Sequence, residues 1–267
     1  MEQVGLAFLV FAITFSLLRK SKGMKFAQNL KYPLTKIGER TSAKTIHYLN
    51  SALNYLEVGR WMRAHGYDLS KRLSRREQLF DIVAAKIANR EVLYIEFGVG
   101  GGAATRYWSK LLRNPNSRLH GFDSFEGLPE EWYLLAPRGF CSVGGVVPVI
   151  DDPRVQFFKG WFEDTLPTYK LPPHEVLVLI MDADLYSSTR FVLNMLRDRI
   201  VPGTYIYFDE FNDRLHEMRA FDEFIGETGM RFALTGVTRT LECAFFECVS
   251  ESRRDPDLAS QRIAFSR

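Results

Sequence analysis

Tyr94-Ile95-Glu96-Phe97-Gly98-Val99-Gly100-Gly101-Gly102 decides the fold. The apolar run Val92, Leu93, Tyr94 and Ile95 ends in an acid and then breaks into glycines. A helical pattern continues from Ala103 to Leu112. Strand, tight turn and helix in that order make the local geometry of a nucleotide-cofactor site. Glycine lets backbone approach a ligand where a Cβ would clash. Loops without a ligand also use glycine, so the stretch gains meaning from the residues placed at set intervals downstream of it.

The downstream sequence alternates. Strands are predicted near 92–97, 117–122, 155–159, 175–182, 203–209, 231–236 and 243–249, with helices near 103–113, 188–199 and 214–228. Such alternation implies parallel strands joined by crossover helices. The fold class is therefore α/β: a doubly wound, seven-stranded, mostly parallel Rossmann-like sheet carrying one antiparallel strand. Upstream, Ile46, Leu49, Leu53, Leu56 and Trp61 recur at helical spacing over Thr45–His65. Ser74-Arg75-Arg76-Glu77 has the spacing of a capping box with Ser74 as N-cap, ahead of Leu79, Phe80, Ile82 and Val83. The resulting division is an apolar N-terminal helix over 1–22, a helical lead-in over 23–73, the main domain over 74–250 and a tail over 251–267. Leu128 to Pro153 is a long Gly- and Pro-rich connection, placed as an active-site lid.

In doubly wound sheets ligands bind beyond the carboxyl ends of the strands. The first strand ends at Glu96, Gly98 and Gly100; the second at Asp123 and Ser124, about 25 residues after the glycine turn, where an acid can accept ribose hydroxyls. The third ends at Gly160 and Trp161, an aromatic able to stack on a base. The fourth ends in Asp182-Ala183-Asp184 and the fifth in Asp209-Glu210. On a strand, Asp182 and Asp184 would face one side. Four carboxylates at neighbouring strand ends repel unless a cation or protons intervene, and Mg²⁺ prefers oxygen ligands. A carboxylate not engaged by metal can act as a general base. The other candidates read as structural: His120 as packing, His216 as an exposed helical residue, Arg190 as a salt-bridge partner, Cys243 and Cys248 as packed residues.

Composition bounds the remaining choices. The chain has 267 residues, 46% hydrophobic and 25% charged, which suits one large α/β domain with additions. A net charge of +3 gives no case for nucleic acid. Three cysteines in no metal-ligand spacing argue for a reducing compartment, the cytoplasm. Val4–Leu18 is uncharged and apolar, shorter than the roughly 20 residues that span a bilayer comfortably. Its basic flank, Arg19-Lys20-Ser21-Lys22, comes after it rather than before, unlike a secretory signal. An anchor at the cytoplasmic face of a membrane is the preferred reading. An interfacial helix and a helix packed on the domain or a partner subunit are the others.

Gly121-Phe122-Asp123-Ser124-Phe125-Glu126-Gly127-Leu128-Pro129, Lys159-Gly160-Trp161-Phe162-Glu163-Asp164-Thr165-Leu166-Pro167 and Asp182-Ala183-Asp184-Leu185-Tyr186-Ser187-Ser188-Thr189 together resemble the macrocin-type O-methyltransferases. The resemblance runs from about Leu73 to Val249. It implies a class I fold that binds S-adenosylmethionine through Glu96, Gly98, Gly100, Asp123 and Ser124; the third and fourth strand ends add Gly160, Trp161 and Asp182 as cofactor-site candidates. It implies Mg²⁺ held by Asp182, Asp209 and Glu210, where the family pattern has two aspartates in place of Asp209-Glu210. It makes Asp184 the base that takes a proton from a sugar or natural-product hydroxyl. The partner is then a small-molecule acceptor, glycosylated or lipid-linked, and the lead-in offers apolar surface for a homo-oligomer.

Two rivals stand beside this reading. An NAD(P)-dependent oxidoreductase would share the glycine turn and Asp123 but has no use for the acidic rim. A non-catalytic, membrane-anchored scaffold on the same fold would tend to lose those acids.

Overall fold

The computed structural model describes residues 23–133 and 136–250. The apolar run Val4–Leu18 and the tail lie outside the described residues. Among the described residues no helix is long and apolar enough to cross a membrane. Contacts divide the chain into two compact units, residues 1–53 and 54–267. The first contains helix α1 (Gly23–Gly38) and the start of α2 (Ala43–Ala64), which begins where Ser42 Oγ accepts the backbone N–H of Thr45 at 3.1 Å. The helical spacing of Ile46, Leu49 and Leu53 is real, but these side chains are exposed.

The second unit is a seven-stranded sheet in the order β3-β2-β1-β4-β5-β7-β6. Its strands are β1 (Val92–Phe97), β2 (Arg118–Asp123), β3 (Val155–Lys159), β4 (Val176–Met181), β5 (Tyr205–Phe208), β6 (Arg231–Val237) and β7 (Ala244–Ser250). The first five run parallel, and β7 is antiparallel to both β5 and β6. The helices are α3 (Arg76–Ile87), α4 (Ala103–Leu111), the single turn α5 (Phe162–Thr165), α6 (Tyr186–Met195) and α7 (Glu217–Thr228). All seven predicted strands are present.

Strands β1 and β4 are buried along their whole length, as expected where helices cover both faces of a parallel sheet. Alternation then divides β1 between two cores. Leu93, Ile95 and Phe97 pack with Phe122, Met181, Phe208 and Phe221, while Val92 and Tyr94 pack with Phe80, Trp108, Tyr207 and Phe245. The central strands end level, with Phe97 beside Met181 and Met181 beside Phe208. One further backbone bond continues past each end: Asp182 N–H to Phe97 O at 2.9 Å, and Asp209 N–H to Met181 O at 3.0 Å. Gly98 N–H to Phe122 O at 3.0 Å and Gly160 N–H to Asp123 O at 2.9 Å do the same on the other side. The acids and glycines of the sequence therefore leave the sheet at one rim.

Two local expectations change. Helix α3 begins at Arg76 with Arg75 as N-cap, not Ser74. The reason is Gln78, whose Oε1 accepts the N–H groups of Ser74 at 2.9 Å and Arg75 at 3.2 Å, satisfying donors at the helix entry. Strand β4 stops at Met181, so alternation along a strand does not orient Asp182 and Asp184. Asp184 instead has φ 58, the left-handed region that aspartate tolerates better than most residues.

Candidate active site

The rim encloses a cavity of about 580 Å³, within the range of cofactor and ligand pockets. Of the residues singled out in the sequence, Glu96, Gly98, Gly100, Asp123, Ser124, Trp161, Asp182, Asp184 and Glu210 all line it. Gly160 and Asp209 do not. Gly160 has φ 147, and a Cβ there would stand 2.8 Å from Thr165 Cγ2. It shapes the turn into α5.

The glycine turn is fixed from beneath. Asp123 Oδ2 accepts the backbone N–H groups of Val99 at 2.8 Å and Gly100 at 2.7 Å, and its Oδ1 accepts that of Phe125 at 2.6 Å. A carboxylate has about four lone-pair sites, so a position remains for a ligand hydroxyl. Nothing lies within 4 Å of a Cβ built on Gly100 or Gly101. Glu96 is buried at the end of β1, and one of its oxygens, Oε2, accepts both the Tyr94 hydroxyl, at 2.8 Å, and the Thr105 hydroxyl. Burial pushes its carboxyl up to about 7, against the pull of those two hydrogen bonds.

The connection after Ser124 forms another wall, with Leu128, Pro129, Trp132, Tyr133, Phe140 and Cys141 facing the cavity. It is folded back on itself: Leu128 N–H donates to Phe140 O and Gly139 N–H to Leu128 O, both at 2.9 Å. Its aromatic side is tied to the sheet's far loops by Trp132 Nε1, which donates to Asp213 Oδ2 at 3.2 Å.

Opposite the glycine turn stand the acids. Asp184 is pushed up to about 7 by burial and by the neighbouring Asp209 and Asp123. Glu210 is pushed up to about 8 by burial and by Asp209 and Asp184. Asp182 is also raised, by burial and by Asp209 and Asp184, with Arg76 pulling the other way. Asp209 turns from the cavity to Arg76 Nη1 at 3.0 Å, and accepts the Tyr207 hydroxyl and, at 3.7 Å, the Cys243 thiol. Among the described residues no three His, Cys, Asp or Glu side chains form a group that could hold a metal ion. The expected Mg²⁺ ligand set of Asp182, Asp209 and Glu210 is thus not assembled, because a guanidinium already pairs with two of its members.

Two residues that shape this rim were missed in the sequence. Arg76 lines the cavity from the start of α3. Its signal was available: two arginines at a helix entry oppose the helix dipole and need another reason to be there. Glu217, fully buried at the start of α7, accepts Ala183 N–H at 3.3 Å and Glu210 N–H at 3.1 Å. It joins the loops after β4 and β5, and nothing local in the sequence marks it. The weaker candidates are structural. His120 is buried with Nδ1 2.6 Å from the Tyr169 hydroxyl, and Arg190 pairs with Glu227. His216 is half-buried rather than exposed, because its Nδ1 accepts the Tyr186 N–H at 3.1 Å.

Residues 149–247 match the Macrocin-O-methyltransferase (TylF) family. The demethyldecarbamoylnovobiocin O-methyltransferase of Streptomyces niveus is 40% identical over 47% of this chain and 57% of its own length. The mycinamicin III 3''-O-methyltransferase of Micromonospora griseorubida is 33% identical over 38% of this chain and 39% of its own. The chain thus spans about half the length of the curated relatives it matches. A solved calicheamicin methyltransferase shares the fold, with a TM-score of 0.51 at 19% identity over 88% of this chain and 90% of that one. The family match contains two of the three sequence blocks, Lys159–Pro167 and Asp182–Thr189, together with Asp209-Glu210. The chain is therefore similar to the macrocin-type O-methyltransferases over residues 149–247, and it shares the fold of the calicheamicin methyltransferase.

Proposed function

We propose that this chain is an S-adenosylmethionine-dependent O-methyltransferase whose acceptor is a hydroxyl of a sugar or natural product. One observation carries the reading: a single cavity joins the open glycine turn, Glu96 and Asp123 on one side to Asp184 on the other. The residues fit the cofactor. Gly100 and Gly101 leave room for close approach, Asp123 keeps a free acceptor position for a ribose hydroxyl, and Trp161 offers a flat apolar face.

S-adenosylmethionine, when bound, supplies a methyl group on a sulfonium sulfur, a charge that an acidic cavity favours. The remaining work falls to this chain's residues. The wall of Trp132, Tyr133 and Phe140 excludes water and presents aromatic surface to the acceptor. Asp184 takes the hydroxyl proton as the new oxygen–carbon bond forms and the sulfur–carbon bond breaks, so the products are a methyl ether and S-adenosylhomocysteine. Among the described residues no hydrogen bond or ion pair engages the Asp184 carboxylate, and its raised affinity for protons suits a base working near neutrality. Holding acceptor and donor in line supplies much of the acceleration. No step is assigned to Mg²⁺, since Arg76 holds Asp182 and Asp209.

The sheet order weighs against a dinucleotide oxidoreductase. That fold continues β4-β5-β6 in parallel, whereas here the antiparallel β7 lies between β5 and β6. Calorimetric titration of S-adenosylmethionine in chelator, then mass detection of S-adenosylhomocysteine with glycosylated acceptors, tests the proposal. Saturable binding and product formation are expected. Binding of NADH in place of S-adenosylmethionine would refute it.

A further inference from the structure

The cation of the acidic rim comes from the chain itself. Arg76 Nη1 lies 3.0 Å from Asp209 Oδ1 and 3.7 Å from Asp182 Oδ2, bridging the loops after β5 and β4. Burial would lower the proton affinity of this guanidinium, and the charges of Asp209 and Asp182 more than reverse that. Its place in the chain makes the contact costly to explain otherwise. A cation in the first turn of a helix is disfavoured by the helix dipole, by roughly 0.3–1 kcal/mol. Two carboxylates in reach offset that. The backbone entering α3 is tied to the sheet edge by Leu73 N–H to Val237 O and Arg239 N–H to Leu73 O, both 2.9 Å. The helix start is thereby fixed, and any movement of the charge is a movement of the Arg76 side chain.

We propose that Arg76 occupies the cation position of this rim, so that a divalent ion reaches Asp182 and Asp209 only when the guanidinium withdraws. Arginine cannot lose its proton to make way, so the competition is between two cations for the same oxygens. Asp182 and Glu210 still face the cavity while Asp209 is turned from it, which is the geometry expected when one ligand of a would-be metal set is held elsewhere. The inference rests on the methyl-transfer reading for the use of the cavity, but its test does not need turnover.

The test is Mn²⁺ binding to the full chain, monitored by the paramagnetic signal of the free ion, in wild type, Arg76→Met and Arg76→Gln. S-adenosylhomocysteine binding is measured separately by calorimetry. Weak Mn²⁺ binding by the wild type and a gain of about tenfold or more in both variants are expected. Mn²⁺ should also raise Tm more in the variants than in the wild type. Equal affinity in all three proteins, or no Mn²⁺ site in either variant, would overturn the proposal. Should Arg76→Met fold only with Mn²⁺ present, the ion has replaced the guanidinium and the proposal stands. Failure of S-adenosylhomocysteine to bind the wild type would remove the methyltransferase reading while leaving the Mn²⁺ comparison to stand by itself.

Discussion

A Cβ built on Gly98 would stand 1.7 Å from the carbonyl oxygen of Asp182. The glycine turn and the aspartate loop are thus in backbone contact, and the φ of 92 at Gly98 is one that side chains rarely adopt. Gly98→Ala must therefore displace backbone as well as add conformational strain. A loss of roughly 3 kcal/mol or more is expected, with S-adenosylmethionine binding abolished. Urea unfolding and calorimetry measure both. A variant with unchanged midpoint would show that the two loops do not pack as described.

Gly100→Ala makes the contrasting case. Nothing lies within 4 Å of its Cβ, and φ is 51, so only backbone preference is at stake. A stability loss of about 1–2 kcal/mol is expected. Cofactor affinity should fall by more than stability, because the added methyl group stands where the ligand approaches. Equal cofactor affinity in wild type and Gly100→Ala would place the ligand elsewhere.

The rim was legible in the sequence to the extent that it depends on strand ends. Continuous apolar runs such as Val176–Met181 announce buried parallel strands, and the acid or glycine after each run marks the ligand side. Direction beyond the strand end was not legible. Asp184 lines the cavity from a left-handed φ rather than from a pleat shared with Asp182, and Asp209 pairs with Arg76, which its place after β5 does not reveal. The partner of Asp209 lies 133 residues away in the chain, so no window of sequence joins them. Glu217 is hidden for a related reason. An acid in a helix's first turn looks like an ordinary dipole partner, and only the packed fold shows that it is buried and holds two loops.

Asp184→Asn should remove turnover while leaving the cofactor in place. The amide keeps the shape and cannot take a proton. A fall in kcat of about 10²–10⁴ is expected, with S-adenosylhomocysteine affinity within a factor of about three. The pH dependence is set by the carboxyl lying at about 7: wild-type rate should rise as pH rises through that value, and the residual rate of the variant should lack that limb. A variant with full activity would rule out Asp184 as base.

Glu217→Gln should disturb catalysis without opening the fold. Burial and the charges of Asp184 and Asp182 hold this carboxyl well above its ordinary range, and it accepts one N–H on each oxygen, from Ala183 and from Glu210. An amide can accept one and must present its own N–H₂ to the other, leaving a buried donor unsatisfied at a cost of about 1–3 kcal/mol. The loops carrying Asp184 and Glu210 would lose their common tie. We expect kcat to fall at least tenfold with KM for S-adenosylmethionine little changed, since the glycine turn is not involved. Equal losses in kcat and in cofactor affinity would indicate general loosening instead.

Glu96 makes stability depend on pH in an unusual direction. Its carboxyl lies at about 7 in the folded chain against an ordinary value of 4.5, chiefly because it is buried. Between those values the folded chain binds more protons than the unfolded one. The stabilisation is therefore complete below 4.5, declines as pH rises and is lost above about 7. Its size is of order 3 kcal/mol. Glu96→Gln isolates this contribution from other titrating groups, because both hydroxyl donors, of Tyr94 and Thr105, reach the same oxygen and a Gln Oε1 can accept both. At pH 8 the variant should melt above the wild type, and at pH 5 the two should converge. Measurement of Tm for both proteins across that range decides the matter: a difference independent of pH would mean that Glu96 is ionised throughout.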